Sequence, residues 1–97
     1  MIDKLDLIRK RGFLCEYCYK ERAIELHHCL LHRMAGRLEL DVEENLACVC
    51  HRCHTSGAVN GYKFRCTFWL TQCNRYGLLH MRSWLASLHL RATPRFE

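Results

Sequence analysis

Two tetrapeptides, Cys15-Glu16-Tyr17-Cys18 and Cys50-His51-Arg52-Cys53, carry the residues best equipped for chemistry. The x2 spacing lets a tight turn point both sulfurs at one ion, while amides of the turn hydrogen-bond the thiolates and spread their charge. Four thiolates on Zn2+ leave no open coordination position, so Cys15, Cys18, Cys50 and Cys53 read as a structural zinc site. Structural zinc contributes on the order of 10–16 kcal/mol at neutral pH. That exceeds the roughly 5–15 kcal/mol of net stability of a typical domain, so the metal-free chain is expected to be poorly folded. A redox C-x-x-C would call for a βαβ pattern around it, and neither pair has one. Cys29, Cys48, Cys66 and Cys73 suit the role of small buried hydrophobes.

The pairs are 31 residues apart, against about 15–20 for a simple zinc ribbon, so something is inserted between them. The insertion holds His27-His28 and, 17 residues after His28, Asn45; His54 directly follows Cys53. Imidazole titrates near neutral pH, which suits it to proton transfer and to metal ligation. The run Asn45-Leu46-Ala47-Cys48-Val49-Cys50-His51-Arg52-Cys53-His54 resembles the N-L-x-x-L-C-x-x-C-H signature of HNH endonucleases. Glu25-Leu26-His27-His28 resembles their His-His or Asp-His strand, and with the first knuckle the resemblance spans residues 15–54.

The resemblance implies a ββα-metal (His-Me finger) fold, in which two antiparallel strands and a helix clamp one divalent ion against the scissile phosphate. By position, His28 resembles the general base and His27 and His54 the metal ligands. Asn45 resembles the central Asn, which braces the loop carrying the base and helps orient its imidazole. Neighbouring strand residues point to opposite faces, so His27 and His28 can serve one site only through a twist, a bulge or an ion at the strand's rim. A shell of two imidazoles, substrate oxygen and water suits Mn2+, Ni2+, Co2+ or Zn2+ better than Mg2+. Arg33, Arg37, Arg52, Lys63 and Arg65 are candidate phosphate contacts, each equally readable as a solvated surface cation. His32, four residues after His28, would complete an H-x-x-x-H pair on a helix, but the resemblance places the second ligand at the knuckle. His32, His51, His80 and His89 therefore read as surface or core residues, with His51 facing solvent.

The elements that must position these groups follow from hydrophobic spacing. Residues 2–11 read as a short helix with Asp3 as N-cap, Ile2, Leu5 and Ile8 on its buried face, and Gly12 as its stop. Residues 13–18 read as a strand running into the first cysteine turn, 22–30 as a strand, 31–44 as an irregular excursion and 45–50 as a second strand. A helix starting over 54–65 is weakened by Gly57 and Gly61. Residues 67–90 read as helical, broken by Gly77, with Trp69, Leu70, Cys73, Trp84, Leu85 and Leu88 at spacings of three and four. The tail, 91–97, is expected to fray.

The 97 residues make one domain, with a core over 13–65 and a helical extension over 67–90. The fold class expected is small α+β, a ββα-metal core with a four-cysteine structural zinc site and flanking N- and C-terminal helices. Fifteen Lys and Arg against ten Asp and Glu give a net charge of +5, which suits a polyanionic partner. No apolar run approaches the roughly 18 residues that a membrane span needs. The opening Met1-Ile2-Asp3-Lys4 reads as part of an amphipathic stretch rather than a leader, so a reducing intracellular setting is expected. The leading reading is an endonuclease acting on double-stranded DNA with little sequence preference, with a homodimer through 67–90 as an option for cutting both strands. Stand-alone members of this size resemble phage-encoded or restriction-associated nucleases. The rivals are an inactive zinc-ribbon DNA-binding or adaptor module and a zinc-stabilised scaffold.

Overall fold

A computed structural model describes residues 2–32 and 37–96. Helix α1 spans Lys4–Lys10, strand β1 Glu25–His28, strand β2 Leu46–Val49, and helices α2, α3 and α4 span His51–Thr55, Tyr62–Tyr76 and Leu78–Ser87. Short 3-10 turns occupy Leu38–Leu40 and Ala58–Asn60. The fold is therefore small α+β, with a two-stranded antiparallel sheet, four helices and a cluster of four cysteines among the described residues.

β1 and β2 pair in unbroken register, from Glu25 opposite Val49 to His28 opposite Leu46. All four residues of β2 are buried, because the sheet is covered on both faces. Leu46 and Cys48 join Leu7, Ile8 and Ala23 on the side of α1. Ala47 and Val49 join Phe64, Phe68, Trp69, Met81 and Leu85 on the side of α3 and α4. This alternation is the two-residue period of a strand, with apolar partners on each side. Residues 67–90 thus pack into the same core as the cysteine pairs.

Asp3 caps α1 by accepting a hydrogen bond from the Asp6 amide at 3.1 Å. Its buried face is Leu7 and Ile8, while Leu5, expected on that face, is 74% exposed. Residues 13–18 do not form the expected strand. They make one bridge, Leu14 with Arg22, because the knuckle turns the chain immediately, and the Glu16 amide instead donates to the Cys48 carbonyl at 2.8 Å. The helix expected within 54–65 starts earlier, at His51, capped by the Cys50 sulfur, and a second helix begins at Tyr62. Gly77, at φ 97, separates α3 from α4. Over 91–96 the tail does not fray: Phe96 is buried against Trp69 with ring centroids 5.1 Å apart, and the Tyr62 hydroxyl donates to the Arg95 carbonyl at 2.8 Å.

Candidate functional site

The first knuckle reaches the second through β2. Glu16, between Cys15 and Cys18, is buried, and its carboxylate accepts the Cys48 amide at 2.7 Å. Main chain and side chain of Glu16 thus hold the edge of β2 that β1 leaves free. Arg11, as deeply buried, meets the same carboxylate at 3.1 Å, and Arg75 of α3 approaches its other oxygen. The four sulfurs of Cys15, Cys18, Cys50 and Cys53 consequently lie within 4.8 Å of one another. A tetrahedral zinc with Zn–S near 2.3 Å needs sulfurs about 3.8 Å apart, so the cluster can hold a structural metal. Turn amides are already aimed at the sulfurs: those of Tyr17 and Cys18 at Cys15 (3.4 and 3.5 Å) and that of Cys53 at Cys50 (3.4 Å). Backbone amides of Glu21 and Lys20 pull the Cys18 thiol down to about 6, favouring the thiolate that binds metal. Cys29 and Cys48, by contrast, are pushed up to about 12 and about 11 by burial and are inert apolar packing. Cys66 and Cys73 are half-buried.

The second cluster lies where β1 meets α2. Glu25 and His27, two apart on the strand, share the face toward α2. The rings of His27 and His54 stand edge to face with centroids 5.3 Å apart. His27 is 6% exposed and donates a hydrogen bond to the backbone of Val59, while its Nε2 is buried with no partner. Burial first, then the neighbouring His54, pushes its pKa down to about 4, so the ring is neutral and Nε2 carries a free lone pair. A buried nitrogen without a partner is costly, and a cation shared with His54 would satisfy it. Gly57 makes the arrangement possible: at φ 80 it turns the chain after α2 so that Ala58–Asn60 passes beneath His27.

His54 is held from behind. Its Nδ1 lies 2.7 Å from Glu25 Oε1, and His51 Nδ1 lies 2.6 Å from Glu25 Oε2. The contacts from His51 and then His54 hold the Glu25 carboxyl below the usual carboxylate range. His51 does face solvent, as expected of it, but it is not free.

His28 stands on the opposite face of β1, half-exposed. The unbroken register contains no bulge, so of the routes to a shared site the strand's twist and its end remain. Its Nε2 lies 2.5 Å from Asp41 Oδ1, just past the Leu38–Leu40 turn. Asn45, fully buried, accepts from the amides of Leu30 and Leu31 (3.1 and 2.8 Å) and donates to the carbonyls of Leu31 and Leu40 (2.8 and 3.1 Å). All four bonds go to backbone. Asn45 therefore braces the loop through backbone alone: it ties the strand's exit to the turn carrying Asp41, and Asp41 meets the ring. Gln72 of α3 steadies the same loop, donating to the carbonyls of Glu43 and Glu44 at 2.9 and 3.1 Å.

Of the candidate phosphate contacts, Arg33 lies outside the described residues. Arg37 is paired with Glu39 at 2.7 Å and bonded to the Leu88 carbonyl at 3.2 Å, and Arg52 is paired with Glu21 at 3.4 Å. Lys63 and Arg65, on α3, have no carboxylate partner among the described residues, and the charge of Arg65 reaches Cys29, the residue after His28. Sequence reasoning missed Glu25 and Asp41. Glu25 was legible in part, since it shares the i, i+2 face of His27, whereas nothing local marks Asp41, 13 residues beyond its partner.

Among the described residues no helix is long and apolar enough to cross a membrane. Compared with protein-family models, with curated proteins and with solved structures, the chain gives no match.

Proposed function

We propose that the protein is a metal-dependent endonuclease that hydrolyses phosphodiester bonds of duplex DNA, with His28 as general base. The reading rests on one observation: two imidazoles from different elements converge, one presenting a buried, neutral, unpartnered Nε2 and the other braced by a carboxylate. His27 and His54 would be the ligands, and the mixed nitrogen and oxygen shell fits Mn2+, Ni2+, Co2+ or Zn2+ ahead of Mg2+. When bound, the ion supplies charge to polarise the phosphate and stabilise the departing oxygen.

The remaining chemistry belongs to the chain. Asp41 occupies Nε2 of His28, which leaves Nδ1 to accept a proton from water. The hydroxyl oxygen attacks phosphorus in line, and the bond from phosphorus to the 3′-oxygen breaks. The leaving oxygen takes a proton from solvent. Asp41 keeps the ring in one tautomer and stabilises the imidazolium that forms. Lys63 and Arg65 are the cations left to meet the backbone phosphates.

A second reading, a zinc-stabilised DNA-binding module without catalysis, is favoured by one fact: among the described residues, the thiolates are the cluster of three or more ligands within 4.8 Å of one another. Supercoiled plasmid incubated with the zinc-loaded protein and Mn2+, Mg2+ or Ni2+ separates the two. Nicking by the parent and not by His28→Ala supports the enzyme. Equal inactivity of both, with retained duplex binding at moderate salt, supports the module.

A further inference from the structure

Glu25 is the least expected participant in the site. It is an acidic side chain on a strand otherwise chosen for β-compatible and histidine residues, and it uses both oxygens on imidazoles from α2. Each contact is made to Nδ1, at 2.6 Å for His51 and 2.7 Å for His54. A carboxylate accepts only, so each Nδ1 must carry the hydrogen. The tautomer of both rings is thereby fixed, and Nε2 of each is left to accept. Carboxylates that bond the far nitrogen of a metal-ligating histidine orient the ring and raise its basicity.

We propose that Glu25 is a positioning residue for the histidine centre: its carboxylate holds His54 in the Nδ1–H form, so that Nε2 faces the divalent ion shared with His27. The proposal rests on the metal-site reading above and gives it a mechanism for ring orientation. Packing alone does not orient His54, which is half-buried near the exposed end of a five-residue helix. His27 needs no such partner, because burial and its bond with Val59 already fix it. The two ligands are thus oriented by different means, one by the protein interior and one by Glu25.

The test uses zinc-loaded protein titrated with Mn2+, an ion too hard to displace zinc from four thiolates. Free Mn2+ is read by electron paramagnetic resonance. Glu25→Ala is expected to weaken Mn2+ binding by about 10–100-fold. Glu25→Gln, which keeps one acceptor oxygen for two rings, should fall between. His51→Ala, which leaves the Glu25–His54 contact intact, should stay within about threefold of the parent on the same scale. In the double variant Glu25→Ala/His54→Ala the loss should not exceed that of His54→Ala alone, since the carboxylate acts through that ring. Long-range 1H–15N spectra should report His54 as Nδ1–H in the parent and as a tautomer mixture in Glu25→Ala. Parent-like affinity in Glu25→Ala, additive losses in the double variant, or an unchanged tautomer would each overturn the proposal. Should Glu25→Ala release its zinc, Glu25→Gln, of equal size, carries the same measurements. Plasmid cleavage with Glu25-independent Mn2+ binding sinks this inference alone. Glu25-dependent binding without cleavage sinks the nuclease reading and leaves this one. A parent that binds neither Mn2+ nor, in the same titration, Ni2+ or Co2+ defeats both.

Discussion

Replacing Asn45 with alanine is the perturbation whose size the structure fixes most closely. The side chain is fully buried and makes four hydrogen bonds, all to backbone of the segment between the strands. Only an amide can accept from two N–H groups and donate to two carbonyls at one place, which is why asparagine occupies the position. Alanine leaves four backbone groups without partners. Those of Leu31 lie on a half-buried residue and can turn to water. The Leu30 amide and Leu40 carbonyl belong to residues 2% and 1% exposed and have no such route. An unsatisfied buried group costs about 1–3 kcal/mol; at about 1–2 kcal/mol for each of these two neutral groups, the expected loss is about 2–4 kcal/mol. For a chain of 97 residues that is a fall in Tm of about 10–20 °C. The assay is urea unfolding of parent and variant in the same excess of zinc, so that metal linkage is common to both. Asn45→Asp is the sharper companion. It keeps size and both accepted bonds but sets a carboxylate oxygen against the carbonyls of Leu31 and Leu40, so its deficit should widen as pH rises through the carboxyl's titration. A loss under about 1 kcal/mol for Asn45→Ala would refute the view that this amide holds the loop.

Four further outcomes are expected. Chelating the zinc, or Cys50→Ser, should abolish cooperative folding as seen by circular dichroism; serine still caps α2, so the loss reports the metal rather than the cap, and a native-like spectrum would defeat the structural-zinc assignment. His28→Ala should retain fold and zinc, since the ring is half-exposed, and lose plasmid cleavage by at least about 100-fold. Arg11→Met should destabilise by about 3–5 kcal/mol in urea, because it strands part of the charge of buried Glu16; Arg75 alone compensating fully would contradict this. With no second divalent ion present, His27, whose folded pKa of about 4 lies below the ordinary 6.5, binds its proton more readily in the unfolded chain. Its contribution to stability is therefore complete above pH 6.5 and is lost as pH falls toward 4, by about 2 kcal/mol at pH 5. His27→Gln should flatten that slope, and parallel curves for the two proteins would contradict it.

Much of the scaffold was legible because it depends on neighbours in sequence. The x2 cysteine spacing, the period-2 run of β2, the glycine between α3 and α4 and the Asp3 cap are all short-range features with one favourable geometry each. Boundaries failed where a distant contact overrode local preference. Residues 13–18 gave up a strand because Glu16 is claimed by Cys48, 32 residues away. The tail is ordered because Phe96 finds Trp69. Leu5 is exposed because the sheet meets α1 at Leu7 and Ile8; of the face that periodicity picked, Ile8 and Ile2 pack there and Leu5 does not.

The candidate site divides the same way. Sequence alone determined which residues were available: four thiols in two turns, a pair of histidines entering a strand, an asparagine and a histidine flanking the second turn. It also determined that Glu25 and His27 share a face, because a strand alternates. Only the tertiary structure decided that Glu25 braces α2, that Asp41 meets His28, and that Asn45 holds backbone rather than a ring. Apart from the bond of Asn45 to Leu40, those pairings join residues 13 to 29 positions apart. A hydrogen bond across such a gap forms only once burial of the sheet between its two apolar layers has met the entropy cost of closing the loops.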